Sequence, residues 1–403
     1  MTIDILCKVV DNYGDIGLVY RLAKALADLD PKLRLRLHVD DLQSFAALCP
    51  DIDPEKDIQE YRLWTVLHWG CDWEGLAAEP PRLVLECFAC GRPETLEALL
   101  FSPERAEACL ILNIEHLTAE AWADELHLMA SATRSSLVRK VNFMPGFTAA
   151  TGGLIIDRVF AEAARAWMVE EAGDAKRQAL LGTIAAIATP GPDSPRAGGA
   201  LEPPTDAASR LWIPLFAYEW DYAAMVRDLA RFGERHPLLA LVAPGRSAGP
   251  FLAAWEGAGR PFPALALPFL PQETWDELLL ASDLSIVRGE ESLSRAALSG
   301  KPFLWQAYRQ EGNHQRVKAL ALIEVLRPHF PAGEFAALEA FSAAFNSGLG
   351  TGGDPGLLEA FLEAMPALRL GFRSFADGLW RNGDLAAGLL AFLNSRPESS
   401  GGC

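Results

Sequence analysis

The sequence has no long apolar run and little positive charge. No run approaches the about 20 apolar residues that a bilayer-spanning helix needs. Its first residues also lack the basic and apolar regions of a signal peptide, so we expect a cytoplasmic protein without membrane association. Lys and Arg number 36 against 53 Asp and Glu, a net charge of -17. This balance argues against nucleic acid as a partner and fits a partner that is locally basic. The alternative is that the negative charge serves solubility alone.

The chain also lacks the common metal and nucleophile motifs. H-E-x-x-H, G-x-S-x-G and Walker sequences are all missing. The seven cysteines are odd in number and mostly lie in apolar runs, which indicates reduced thiols. Cys87 and Cys90 form a C-x-x-C without a second ligand pair, and the single D-x-D match, 51–53, follows no apolar strand. We therefore expect no metal and no resident cofactor.

Short apolar runs alternate with helical patterns along most of the 403 residues. Such a β-α-β rhythm predicts an α/β fold with mostly parallel sheets, in two Rossmann-like domains. The predicted strands are 3–10, 33–39, 82–88, 109–114, 211–218, 238–243, 264–268, 284–287 and 303–305.

The sequence predicts two domains and, between them, a stretch of different composition that need not mark the domain boundary itself. We predict a first domain over residues 1–170, completed by a C-terminal helix at about 372–396. Residues 171–208 are rich in Pro and Gly and are interpreted as an insertion or linker. Residues 209–371 form the second domain. Ligands of such sheets bind outside the carboxyl ends of the strands.

The first candidate site is the loop 11–17, which follows the first strand and opens the first helix. Gly14 and Gly17 allow close backbone approach, and Asp11 and Asp15 bracket the turn. Two carboxylates at a strand end favour a catalytic function. The alternative is structural, because Asp is a favoured residue at helix N-termini.

The second candidate site is the strand-to-helix junction R-G-E-E-S. Helix N–H groups, Ser292 and Arg288 suit a diphosphate, while an acid at Glu290 or Glu291 can accept from sugar hydroxyls. The alternative is that Glu290, Glu291 and Ser292 are ordinary first-turn residues that pair locally with Arg288.

Aromatic residues at strand ends form the third candidate site. They are Phe216 and Tyr218 in LFAYEW, with Phe269 and Trp275 in PFLPQETW. A flat base needs an apolar slot, and the amide of Gln272 can read its edge. The alternative is that these rings belong to the core.

Several stretches together resemble the EarP family of protein-arginine rhamnosyltransferases, which modify elongation factor P. They are VVDNYGDIG (9–17), ILNIEHLTAEAW (111–122), FMPGFTAATGGL (143–154), LFAYEW (215–220), PFLPQETW (268–275) and RGEESLSRAALSGKPFLWQAY (288–308). The resemblance implies a GT-B fold of two facing Rossmann-like domains with a cleft between them. It also implies an inverting transfer from TDP-β-L-rhamnose, without a metal, to an arginine of elongation factor P.

The family's motifs assign roles to positions of this chain. Asp15 would be the general base with Asp11 assisting it, and Glu290 would be essential near the donor. Arg288 and Ser292 would hold the diphosphate. The remaining contacts of the nucleotide sugar would come from Asn12, Tyr13, Gly14, Phe216, Tyr218, Phe269, Gln272, Trp275, Gly289 and Glu291. Two residues depart from the family pattern: Glu291 replaces Asp, and Trp275 replaces a smaller aromatic.

Two other function classes stay open at this point. A GT-B-shaped sugar-nucleotide epimerase would bind the nucleotide in the same way but needs no protein acceptor. A non-catalytic sugar-nucleotide sensor would bind the donor without consuming it.

Overall fold

The computed structural model describes residues 1–10, 13–62, 64–169, 173–188, 203–309, 311–347 and 355–395. The strands are β1 (Thr2–Cys7), β2 (Arg34–Val39), β3 (Ile58–Tyr61), β4 (Trp64–His68), β5 (Leu83–Cys87), β6 (Cys109–Ile114), β7 (Ala130–Ser131), β8 (Val138–Phe143), β9 (Leu211–Leu215), β10 (Leu238–Val242), β11 (Ala264–Ala266), β12 (Ser285–Arg288) and β13 (Phe303–Gln306). The α-helices are α1 (Tyr13–Leu29), α2 (Leu42–Leu48), α3 (Glu74–Ala78), α4 (Glu94–Leu100), α5 (Trp122–Leu126), α6 (Arg158–Val169), α7 (Asp174–Ala188), α8 (Ala223–Gly233), α9 (Ala248–Gly257), α10 (Gln272–Ala281), α11 (Glu290–Leu298), α12 (His314–Leu326), α13 (Ala332–Phe345), α14 (Leu357–Asn382) and α15 (Leu385–Asn394).

The chain divides into two compact units. The first unit contains Met1–Arg158 and Arg381–Cys403, and the second contains Val159–Trp380. Each unit is built on one sheet whose strands are mostly parallel.

The sheet of the first unit has the order β3-β4-β2-β1-β5-β6-β8-β7. β3 and β7 run antiparallel to their neighbours, while the inner strands are parallel. The central strands β1 and β5 are almost wholly buried, because a parallel sheet is covered by helices on both faces. β1 lies at its centre and leads directly into the loop before α1.

The C-terminal helix α15 completes the core of the first unit. Leu385, Ala386 and Leu389 belong to the same buried cluster as Ile16 and Phe143. The predicted continuous helix at about 372–396 is interrupted, however, at Gly383, which adopts φ 91°. Asp384 then caps α15 by accepting a hydrogen bond from the backbone N–H of Ala387.

The sheet of the second unit has the order β11-β10-β9-β12-β13 and is parallel throughout. β9 and β12 are neighbours although five elements separate them in sequence. The strand order therefore reverses beside β9, and the carboxyl ends of β9, β12 and β13 meet at one edge.

Segment 171–208 differs from its interpretation as a linker. Helix α7 occupies Asp174–Ala188, and Leu180, Leu181 and Ile184 on it are buried. The Ala-rich sequence of α7 favours helix strongly enough to override the expected loop. The Pro/Gly-rich remainder, 189–202, lies outside the described residues.

Within the described part of the chain, no helix combines the length and the apolar character that crossing a bilayer requires.

Candidate functional site

A glycine turn joins β12 to α11 in the second unit. Gly289 adopts φ 65° and ψ 176°, a conformation that is essentially restricted to glycine. The indole Nε1 of Trp305, on the neighbouring strand β13, donates to the carbonyl oxygen of Gly289 at 3.1 Å. The Trp305 indole therefore holds the turn in place, and the N-terminus of α11 lies at the carboxyl edge of the sheet.

Arg288 packs against two aromatic rings at this edge. Its guanidinium carbon lies 4.6 Å from the ring centre of Phe216 and 4.5 Å from that of Tyr218. Both distances are within the range of a cation–π interaction. The Nη1 atom of Arg288 is buried and has no hydrogen-bond partner among the residues that the structure describes. A buried cationic donor without a partner is costly, so this position favours an anionic ligand.

Trp275 on α10 contacts the same group of residues. Its ring meets Phe216 edge-to-face, with centroids 5.6 Å apart and an interplanar angle of 71°. Its Nε1 donates to Oγ of Ser292 at 3.2 Å, in the first turn of α11. Five predicted site residues thus come together: Phe216, Tyr218, Trp275, Arg288 and Ser292.

The two acidic residues of the turn differ in their surroundings. Oε1 of Glu291 lies 3.4 Å from Nε of Arg295, one helical turn further along α11. Arg295 is fully buried and lies over the ring of Phe160 at 4.4 Å. Glu291 is therefore oriented along its own helix, while Glu290 is half-buried at the first position of α11.

Hydrogen bonds hold the backbone of Tyr218 in place, and this residue lines a pocket. Its N–H donates to Oε1 of Gln306 at 2.7 Å, and its carbonyl oxygen accepts from the Tyr222 hydroxyl at 2.6 Å. The pocket has a volume of about 200 Å³. It is lined by Tyr218, Glu219, Arg246, Gln306, Ala307, Tyr308, Arg309, Gln315, Phe345 and Asn346.

Phe269 and Gln272 lie beside the start of α10. Phe269 is 45% exposed. Gln272 is half-buried and is the first residue of α10.

In the first unit, Asp15 lies in the first turn of α1. It is buried, and its Oδ2 accepts from the backbone N–H of Val10 at 2.7 Å. Tyr13 and Gly14, immediately before it, are exposed. Asp11 and Asn12 lie outside the described residues. The carboxylate of Asp15 therefore contacts the backbone of Val10, beyond the end of β1, and does not point into bulk water.

Thiols surround the same strand ends. Burial raises the pKa of Cys7, and the nearby Cys87 and Asp15 raise it further. Burial also raises the pKa of Cys87 and brings that of Cys90 to about 12. These groups are therefore protonated at neutral pH, whereas reactive redox or metal-binding cysteines have lowered pKa values.

The sequence profile of a family described as elongation-factor P (EF-P) rhamnosyltransferase EarP matches residues 3–394. The chain belongs to the EarP family. It is accordingly a glycosyltransferase. The match spans both units, so the similarity to EarP is not limited to one motif or one domain.

Individual EarP-like proteins agree with this assignment. A protein-arginine rhamnosyltransferase of Pseudomonas aeruginosa is 34% identical, with 96% of this chain and 98% of that protein covered. A structure that describes EarP-mediated arginine glycosylation of translation elongation factor EF-P superposes with a TM-score of 0.59 at 24% identity, covering 98% and 99% of the two chains. A UGT transferase from Siraitia grosvenorii in complex with UDP gives 0.53 at 10% identity, covering 98% and 99%. These structures show that the fold is α/β and of the GT-B type.

The structure adds residues that the sequence analysis missed. Trp305, Gln306 and Tyr308 lie in the last of the stretches that carry the EarP resemblance, yet no role was predicted for them. Trp305 supports Gly289, Gln306 binds the backbone of Tyr218, and Tyr308 meets the Tyr218 ring edge-to-face at 5.5 Å. Their position at the carboxyl end of a strand beside β12 was the available signal.

Proposed function

We propose that this chain transfers L-rhamnose from TDP-β-L-rhamnose to an arginine side chain of elongation factor P, with inversion at the anomeric carbon. The observation that carries the proposal is the buried Nη1 of Arg288, which has no partner although two rings hold its guanidinium in place. A preorganised cation of this kind suits the diphosphate of a nucleotide sugar.

The diphosphate would be bound by groups at one junction. Arg288 ends β12, Ser292 lies in the first turn of α11, and the N-terminus of α11 adds the positive end of its dipole. These donors can also stabilise the charge that develops on the leaving diphosphate. The proposed reaction therefore needs no metal.

The nucleoside and sugar would lie beside this junction. Because Phe216 and Tyr218 contact Arg288, we assign base stacking chiefly to the exposed ring of Phe269, with Trp275 as a second wall and Gln272 on the base edge. Glu290 would accept hydrogen bonds from sugar hydroxyls. Contacts from Gly289 and Glu291, and from Asn12, Tyr13 and Gly14 of the first loop, complete the proposed binding set.

Asp15 is the proposed general base, assisted by Asp11. A guanidinium has a pKa above about 12, so a carboxylate cannot deprotonate it before the reaction begins. The nitrogen loses its basicity only as it bonds to the anomeric carbon and the carbon–diphosphate bond breaks. The proton would then pass to Asp15. Two carboxylates suit this sequence, since they can bind and orient the guanidinium first.

The proposed acceptor rests on the relatives and on charge. The Pseudomonas aeruginosa relative is named a protein-arginine rhamnosyltransferase, and the most similar structure mentioned above concerns arginine glycosylation of EF-P. A chain with net charge -17 also favours encounter with a basic surface.

Intact-mass analysis of elongation factor P after incubation with the chain and TDP-β-L-rhamnose tests the proposal. One added deoxyhexose, mapped to an arginine by fragmentation, is the expected result. The matched control is the acceptor protein with that arginine replaced by lysine, which should gain no mass. If the donor is consumed while elongation factor P stays unmodified, or if the sugar changes during incubation with the donor alone, the chain is an epimerase instead.

A further inference from the structure

The contact between Trp275 and Ser292 determines how the Ser292 hydroxyl can be used. An indole N–H can only donate, so Oγ of Ser292 must be the acceptor in their 3.2 Å hydrogen bond. Ser292 is 8% exposed, and the edge-to-face contact with Phe216 orients the indole plane. The bond joins the first turn of α11 to α10, which also begins at the carboxyl edge of this sheet.

A serine hydroxyl has one proton to donate and two lone pairs. The indole of Trp275 occupies one lone pair. Within the part of the chain that the structure describes, the bond from Trp275 is the one that Oγ of Ser292 makes, and in it the hydroxyl proton is not used. The proton is therefore left for a ligand, on the same junction as the unpartnered Nη1 of Arg288.

We propose that Trp275 is a positioning residue, which presets Ser292 as a hydrogen-bond donor to the donor substrate's diphosphate. This inference rests on the proposed function, because it takes the diphosphate site at Arg288 and Ser292 as its starting point. It differs from a role of Trp275 as a wall of the base slot, since it assigns the effect of the indole N–H to Ser292.

The effect depends on the indole N–H of Trp275. A phenyl ring at this position would keep an aromatic contact but has no N–H to donate. With such a ring, the serine hydroxyl can rotate and offer either its proton or its lone pairs. The indole removes part of that freedom before the ligand binds, which lowers the entropic cost of binding.

A double-mutant cycle tests this coupling by titrating TDP into wild type, Trp275→Phe, Ser292→Ala and the double variant. Phe keeps a ring for the contact with Phe216 but removes the donor. We expect Trp275→Phe to weaken TDP binding about 3- to 10-fold in wild type, the size of one lost hydrogen bond. In the Ser292→Ala background the same change should have almost no further effect. Equal unfolding midpoints of the four proteins show that the fold is retained.

Trp255→Phe is the matched control. The indole of Trp255 donates to the Phe262 carbonyl oxygen at 2.7 Å, so it shares no partner with Ser292. Trp255→Phe should change TDP affinity by the same factor in wild type and in the Ser292→Ala variant. The inference is overturned if Trp275→Phe leaves TDP affinity unchanged. It is also overturned if the fold-change in the double variant is the product of the two single fold-changes. Either result leaves the proposed donor site intact. A wild-type protein that binds no TDP would overturn the proposed donor site as well.

Discussion

The guanidinium carbon of Arg288 lies 4.5 Å from the ring centre of Tyr218. Arg288 belongs to β12 and Tyr218 follows β9, two strands that are distant in sequence but adjacent in the sheet. The ring therefore supports a charged group from a different part of the chain. Because Gln306 and Tyr222 fix the backbone of Tyr218, this support is rigid.

Arg288→Lys should weaken TDP binding about 10-fold or more, since lysine keeps the charge but loses ring stacking and bidentate hydrogen bonding. Arg288→Ala should weaken it further. Calorimetric titration of TDP measures both effects. Arg260→Lys is the control, because Arg260 lies 5.3 Å from the ring centre of Trp255 on an exposed surface. An unchanged titration in Arg288→Ala would refute the diphosphate assignment.

Asp15→Asn should lower turnover by about 10²-fold or more while TDP affinity changes little. The amide keeps the shape of the side chain and can still accept from Val10, but it cannot take a proton. Initial rates at saturating donor and acceptor measure the effect. Asp28→Asn, an exposed change on the same helix, should leave turnover unchanged. Wild-type turnover in Asp15→Asn would remove Asp15 from the mechanism.

Leu389→Ala should destabilise the first unit by about 2–5 kcal/mol, because it leaves a cavity where α15 packs against the core. Urea unfolding followed by circular dichroism measures the loss. Leu370→Ala is the control, because Leu370 is 77% exposed on α14 and should change stability by about 0.5 kcal/mol or less. Equal losses in the two variants would show that α15 is not part of the core.

Acid should destabilise the chain through His127. Burial lowers the pKa of His127, with Asp124 opposing the shift, and its Nδ1 accepts from the backbone N–H of Met144 at 3.1 Å. The unfolded chain therefore binds a proton at this site at higher pH than the folded chain does. The stability contributed by neutral His127 is complete above about pH 6.5 and is lost as pH falls through the lowered value.

The free energy of unfolding, measured from about pH 5 to about pH 8, tests this expectation. This range brackets the pKa of about 6.5 that histidine has in the unfolded chain. His127→Gln keeps a side-chain acceptor but cannot be protonated, so its stability should depend less steeply on pH. The same slope in both proteins would contradict the assignment.

The sequence predicted the strands whose apolar runs are clear. The expected strand at 109–114 coincides with β6, Cys109–Ile114. Four strands of the first sheet were missed. Polar residues interrupt the inner strands β4 and β8, and β3 and β7 are short, largely exposed edge strands. Periodicity reports burial, and edge strands are buried on one side at most.

The candidate site was predicted by residue type but not by contact. Arg288, Ser292 and Trp275 were all selected at the sequence level. That Arg288 would stack on Phe216 and Tyr218 depends on β9 lying next to β12, a neighbour relation that the order of elements along the chain does not specify. The partner of Trp275 was unpredictable for the same reason.

The position of α15 has a consequence for synthesis on the ribosome. Leu385, Ala386 and Leu389 of α15 belong to a hydrophobic cluster whose other buried members lie between Ile3 and Ile155. A nascent chain cannot bury that cluster fully until translation has passed the whole second unit. A stalled or prematurely terminated product therefore presents an open apolar groove, which makes it a substrate for chaperones and proteases even when its second unit is intact.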